Sequence, residues 1–109
     1  MTRAIRIHET GAADVLRWDE VEVGDPAAGQ VRLKQAACGL NYIDIYGRSG
    51  MYPVGDLPAV LGMEAVGEIE ALGSAVEGFA VGDRVAYAMQ LGAYAEARLV
   101  DAAKLIKIP

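Results

Sequence analysis

The sequence holds one cysteine, Cys38, and one histidine, His8, and no long uninterrupted apolar run. A lone thiol cannot form an internal disulfide, which fits a reducing compartment, and metal binding by a cysteine set is excluded. Charges at Arg3, Arg6 and Glu9 break the N-terminal run, so neither a signal peptide nor a membrane span is expected and the protein reads as cytoplasmic. The 10 basic residues stand singly against 15 acidic ones, and with a net charge of −5 there is no stripe that could follow a nucleic-acid backbone. Also missing is any G-x-G-x-x-G turn between a strand and a helix, so nothing here would grip the pyrophosphate of a dinucleotide.

Apolar residues are what the chain has in excess. They make up 53% of its 109 residues. Counted with glycine and without tyrosine the share is about 60%, where soluble domains average about 45–50%. The length suits one domain. Such an excess implies either a core rich in Ala and Val or, as the preferred reading, an apolar face that expects a complementary domain or a second copy.

Short alternating runs dominate the first third. Ile5 and Ile7 alternate with Arg6 and His8, Val21 and Val23 with Glu20 and Glu22, and Val31 and Leu33 with Arg32 and Lys34. Each predicts a half-buried strand, and the turn residues between them predict a meander. From Val60 to Met89, glycines at 62, 67, 73, 78 and 82 interrupt β-branched segments and forbid a long helix. A further strand is expected around Tyr94 to Val100. The fold class is therefore mainly β, a partly open barrel.

One segment departs from this pattern. In GLNYIDIYGRSG, Asn41 can cap a helix start, Asp44 suits the first turn, and Gly47 or Gly50 can end the helix, giving one short helix near 42–48. Asn41, Tyr42, Tyr46, Arg48 and Tyr52 fall within this stretch and the loop after it, which together hold three of the five tyrosines. Tyrosine offers a flat apolar face and a hydroxyl donor, which suits a conjugated ring bearing carbonyl oxygens. The alternative is that these rings only pack at the barrel mouth.

The run NYIDIYGRSGMYPVGDLPAVLGMEAVG, with Gly82-Asp83-Arg84-Val85, Gly92-Ala93-Tyr94-Ala95-Glu96 and the final Pro109, resembles the zinc-free quinone oxidoreductase branch of the medium-chain dehydrogenase/reductase superfamily. The resemblance covers residues 1–109 and implies an N-terminal GroES-like catalytic-domain fragment, an incomplete domain whose Rossmann nucleotide-binding domain lies outside this chain. It also implies an NADPH-dependent quinone oxidoreductase that is inactive as the fragment alone. NADPH in place of NADH comes only from the family. By the same resemblance Asn41 and Tyr46 bind the cofactor near the nicotinamide, Tyr42, Arg48 and Tyr52 line the substrate pocket, and Tyr52 is the catalytic candidate. The implied partners are a quinone, the nicotinamide cofactor and a complementary Rossmann domain or a homo-oligomer. An alkenal or enoyl reductase of the same superfamily and a non-catalytic GroES-like assembly module are the rival readings.

Zinc-dependent relatives carry Cys-His where this chain has Asn41-Tyr42, and Gly-His-Glu where it has Gly62-Met63-Glu64. Asparagine, tyrosine and methionine do not form a zinc ligand set. A carbonyl accepting hydride without a Lewis acid needs hydrogen-bond donors or must delocalise the charge itself, as a quinone does. Elsewhere, Arg48 is expected in a surface ion pair before any ligand contact, His8 as a solvated strand residue, Cys38 as a buried small residue, and Glu64 as a tie to the backbone. Elemental analysis of the purified protein should find no stoichiometric zinc; about one zinc per chain would contradict this ligand argument.

Overall fold

The computed structural model describes residues 2–109. Eight strands and one helix follow in the order β1 (Thr2–Ile7), β2 (Leu16–Val21), β3 (Gln30–Cys38), α1 (Tyr42–Ser49), β4 (Ala59–Val60), β5 (Ala65–Leu72), β6 (Arg84–Tyr87), β7 (Ala97–Asp101) and β8 (Ile106–Lys107). All pairings are antiparallel and form two sheets, β2-β1-β4 and β7-β3-β5-β6-β8. The fold is mainly β and the two sheets do not close into one barrel, in agreement with the partly open architecture expected.

The first third is not a meander. β1 and β2 pair with each other, but β3 leaves them and enters the second sheet between β5 and β7. The dry face of β3 explains this choice: Val31 and Leu33 are fully buried with Ile69 of β5 and Val85 of β6. Each such side chain contributes about 1.5–3 kcal/mol by leaving water. On β1 the expected alternation fails, because Ala4 and Ile7 are buried while Ile5 is only half-buried. β1 is the central strand of its sheet, and at Ala4 it also meets Ala95, so cover comes from several directions.

Gly67 does not interrupt its strand as the sequence suggested. β5 runs through it, opposite an irregularity in β3 between Gln35 and Ala37. A Cβ at Gly67 would lie 2.5 Å from the Lys34 carbonyl oxygen, so glycine lets the two backbones approach there. The strand expected from Tyr94 starts only at Ala97.

Residues 92–96 instead join the two sheets. Toward the first sheet, Ile5 N–H donates to Tyr94 O at 2.7 Å and Glu96 N–H to Arg3 O at 2.9 Å. Toward the second, Gln35 N–H donates to Glu96 O at 2.9 Å. The Gln35 side chain reinforces this link, its Nε2 donating to Ala93 O at 2.8 Å and Ala95 O at 2.7 Å while its Oε1 accepts from the Tyr87 hydroxyl. Burial raises the Tyr87 phenol above its usual pKa, and the nearby Arg98 guanidinium partly offsets that rise.

Gln35→Leu keeps the side-chain volume but leaves Ala95 O and the Tyr87 hydroxyl proton without a partner, while Ala93 O keeps only the Ala95 N–H. Urea unfolding should show a loss of about 3 kcal/mol. A loss below about 1 kcal/mol would mean that the side chain is not what holds the segment.

Candidate functional site

α1 begins where β3 runs out. Asn41 is extended, with φ −134° and ψ 156°, and precedes the first helical residue. The hydrogen bonds of this start run through Asp44. Its Oδ2 accepts the Asn41 backbone N–H at 3.1 Å, and its own N–H donates to Asn41 O at 3.1 Å. A carboxylate in the first turn also meets the positive end of the helix dipole. Gly50, with φ +92°, ends the helix in the left-handed conformation that glycine adopts without strain.

Asp44 is buried, and Oδ2 accepts a second hydrogen bond from the Tyr94 hydroxyl. Burial first, then this bond and the adjacent carboxylate charge, push the Tyr94 phenol far above its ordinary pKa, so it stays protonated. The Tyr94 ring is seated on Gly62, and its N–H donates to Leu61 O at 2.8 Å.

Two grooves meet at Tyr94 and Leu40. One, of about 430 Å³, is lined by Asn41, Tyr42, Asp44, Ile45 and Arg48 of the helix region together with Leu16 and Leu61. The other, of about 440 Å³, runs past Trp18, Ala36 and Cys38. Leu40 and Tyr42 are 85% and 79% exposed, so these walls present apolar and aromatic surface to solvent. A smaller cavity of about 130 Å³ lies on the other side of Asp44, bordered by Tyr52, Pro53, Val54, Leu61 and Met63.

The five residues singled out in the sequence thus divide. Asn41, Tyr42 and Arg48 line the first groove. Tyr46 and Tyr52 pack edge to face, with ring centroids 5.5 Å apart and an interplanar angle of 79°, and Tyr52 borders the small cavity. Arg48 makes no ion pair among the described residues; its Nε donates to Gly11 O at 3.2 Å, and Gly11 N–H donates back to Arg48 O at 2.9 Å. This clasp ties the end of α1 to the loop between β1 and β2, so a backbone carbonyl has taken the place expected for a carboxylate.

Cys38 is exposed rather than buried. β3 pairs with β7 only as far as Lys34, so its last residues have a neighbour on one side alone. His8 is exposed, its Nε2 2.6 Å from Asp19 Oδ2, and lines neither of the two grooves. The Glu64 carboxylate covers Gly39, where a Cβ would lie 2.2 Å from Oε1, and Gly39 N–H donates to Glu64 O at 3.1 Å. Among the described residues no group of three or more His, Cys, Asp or Glu side chains is placed to hold a metal ion.

Sequence reasoning had not identified Tyr94 or the pairing role of Asp44. The Asn-x-x-Asp spacing at 41–44 is a capping-box signal and could have drawn attention to Asp44. Nothing local to Tyr94 predicts that it meets a helix 50 residues earlier.

Residues 27–109 match the alcohol dehydrogenase GroES-like domain. Over its full length the chain is 46% identical to a 2-haloacrylate reductase from Burkholderia and 44% identical to a quinone oxidoreductase from Pseudomonas aeruginosa, covering 34% of each. The chain belongs to the quinone oxidoreductase branch of the medium-chain dehydrogenase/reductase superfamily. Its fold superposes on the quinone oxidoreductase of Escherichia coli complexed with NADPH with a TM-score of 0.94 at 41% identity, covering all of this chain and 33% of that one. The chain therefore spans about a third of the length of these relatives.

Gly62 tests the seat of Tyr94. It has φ +93°, and a Cβ there would lie 2.6 Å from Tyr94 Cδ1 and 2.9 Å from its backbone nitrogen. Gly62→Ala should therefore cost about 3 kcal/mol from backbone strain and overpacking together. The Tyr94 ring resonances should shift with it. A variant with wild-type stability and unshifted Tyr94 resonances would contradict this packing.

Proposed function

We propose that this chain forms the N-terminal catalytic-domain part of a zinc-independent, NADPH-dependent quinone oxidoreductase, residues 1–109 being a GroES-like fragment and the Rossmann domain being supplied outside it. The observation that carries the reading is the division of the site about one short helix. On one side Asn41 opens a groove walled by flat apolar and aromatic side chains; on the other, Tyr46 supports the ring of Tyr52 beside a small cavity. A hydride donor and a conjugated acceptor need two such ring sites close together. The relatives named quinone oxidoreductase and the E. coli structure holding NADPH support the assignment of acceptor and cofactor.

Asn41 and Tyr46 would hold the nicotinamide end of NADPH, Tyr46 from beside the Tyr52 ring. When bound, the reduced nicotinamide supplies the hydride. Tyr52 would place its hydroxyl where negative charge develops on the quinone oxygen, and Tyr42 and Arg48, in the groove with Asn41, would bound the substrate where it meets the nicotinamide. Leu16, Trp18 and Leu40, all exposed, would be covered by the partner domain or, in its absence, by a second copy of the chain. Without a glycine-rich phosphate turn the isolated chain would not turn over, and we place the complete protein in the cytoplasm. A second reading is favoured by the 2-haloacrylate reductase relative: the acceptor would then be an activated alkene, as in an alkenal or enoyl reductase.

The test is a hybrid in which this chain replaces the N-terminal third of the E. coli quinone oxidoreductase. The hybrid should oxidise NADPH with quinones, and the isolated chain should not. Tyr52→Phe in the hybrid should lower kcat about 10- to 1,000-fold with little change in NADPH affinity, while Asn41→Ala weakens cofactor binding. Wild-type kinetics for Tyr52→Phe would remove Tyr52 from the site, and preferential turnover of haloacrylates or enones would select the second reading.

A further inference from the structure

Asp44 is the one charged or polar residue among the described residues that is buried, and the site described so far gives it no chemical part. Its two oxygens are used unequally. Oδ2 accepts both the Asn41 backbone N–H and the Tyr94 hydroxyl, whereas Oδ1 is buried with no hydrogen-bond partner. A carboxylate so placed is costly for the fold, because an unpaired buried oxygen keeps its full desolvation penalty. Its bonding is spent on two residues 53 positions apart in the chain that line the same groove. Asp44 also borders the small cavity beside Tyr52, so it stands between the two halves of the site.

We propose that Asp44 is the positioning residue of this site: through the single atom Oδ2 it fixes where Asn41 stands relative to the Tyr94 ring. The proposal rests on reading the groove as one ring site of a hydride-transfer centre. Because Tyr94 donates its proton inward to Asp44, its hydroxyl turns only lone pairs elsewhere and its ring edge is held as a fixed wall. Asn41 is held through its backbone N–H, and its side chain faces back to the Asp44 backbone in a capping box. The Arg48 guanidinium, one turn further along α1, donates to Gly11 and does not compete for the carboxylate. Since only Oδ2 is engaged, an amide oxygen can reproduce both bonds, which separates the conservative variant from the truncated one.

The experiment uses the 109-residue chain as wild type and as Asp44→Asn, Asp44→Ala and Tyr94→Phe, each at a temperature where it is folded. The probe is 1-methyl-1,4-dihydronicotinamide, the ring that the Asn41–Tyr94 groove is proposed to receive. Its affinity is measured by NMR titration, together with the Tyr94 13Cζ shift, which reports the phenol hydrogen bond, and the Asn41 amide shift. Asp44→Ala and Tyr94→Phe should each weaken binding of the dihydronicotinamide about fivefold or more, the equivalent of one hydrogen bond. Asp44→Asn should stay within about twofold of wild type and preserve both shifts.

A folded Asp44→Ala chain with wild-type affinity and an unmoved Tyr94 signal would overturn the proposal, whatever its melting temperature. So would an Asp44→Asn chain as impaired as Asp44→Ala. If Asp44→Ala does not fold, Tyr94→Phe decides by the same affinity criterion. If the wild-type chain does not bind the dihydronicotinamide, the hydride-site reading loses its footing while the two shifts still decide Asp44: moved together in Asp44→Ala and preserved in Asp44→Asn they support it, and unchanged in both they overturn it.

Discussion

Everything near the site depends on residues 92–96 serving two sheets at once. Their backbone answers Arg3 and Ile5 on one side and Gln35 on the other, and Gly92 and Ala93 N–H both donate to Gly62 O, at 2.9 and 3.1 Å. A segment outside regular strands carries backbone groups that must find partners when covered. Here the partners come from both sheets and from the Gln35 side chain, so the segment is as constrained as a strand. Tyr94 inherits that constraint, and through Asp44 so does the start of α1.

This arrangement explains why so short a helix can present side chains in fixed positions. Eight residues are too few for a stable isolated helix in water. α1 is instead fastened at both ends and along one side. Asp44 holds its start, Arg48 and Gly11 exchange backbone-directed hydrogen bonds at its end, and Gly47 lets it approach the following loop, a Cβ there lying 2.8 Å from Val54 Cγ1. The polar groups thus consumed leave Asn41 and Tyr42 at the rim, on a groove whose other walls are mostly apolar. A flat ring with polar edges is what such a surface accommodates.

Much of this was legible in the sequence wherever the signal was local. Val31 and Leu33 announced a buried strand face, and Asn41 to Gly50 announced a short helix whose observed span, Tyr42–Ser49, is nearly the one expected. Non-local facts were not legible. The pairing of β3 with β5 and β7, the passage of β5 through Gly67 and the exposure of Cys38 each depend on which strand lies alongside, which alternation alone does not encode. The site shows the same boundary. Asn41, Tyr42, Tyr46, Arg48 and Tyr52 could be named from one crowded stretch. Their division into two groups, the Arg48 bond to a carbonyl and the role of Tyr94 required the fold.

In the function proposed, the groove between Asn41 and Tyr94 receives the nicotinamide ring. The most direct measurement is a crystal structure of this chain completed with a dinucleotide-binding domain and crystallised with NADPH. The nicotinamide should lie in that groove, in contact with Asn41 and within reach of a quinone seated against Tyr52. A nicotinamide ordered elsewhere, with Asn41 and Tyr94 untouched, would contradict it.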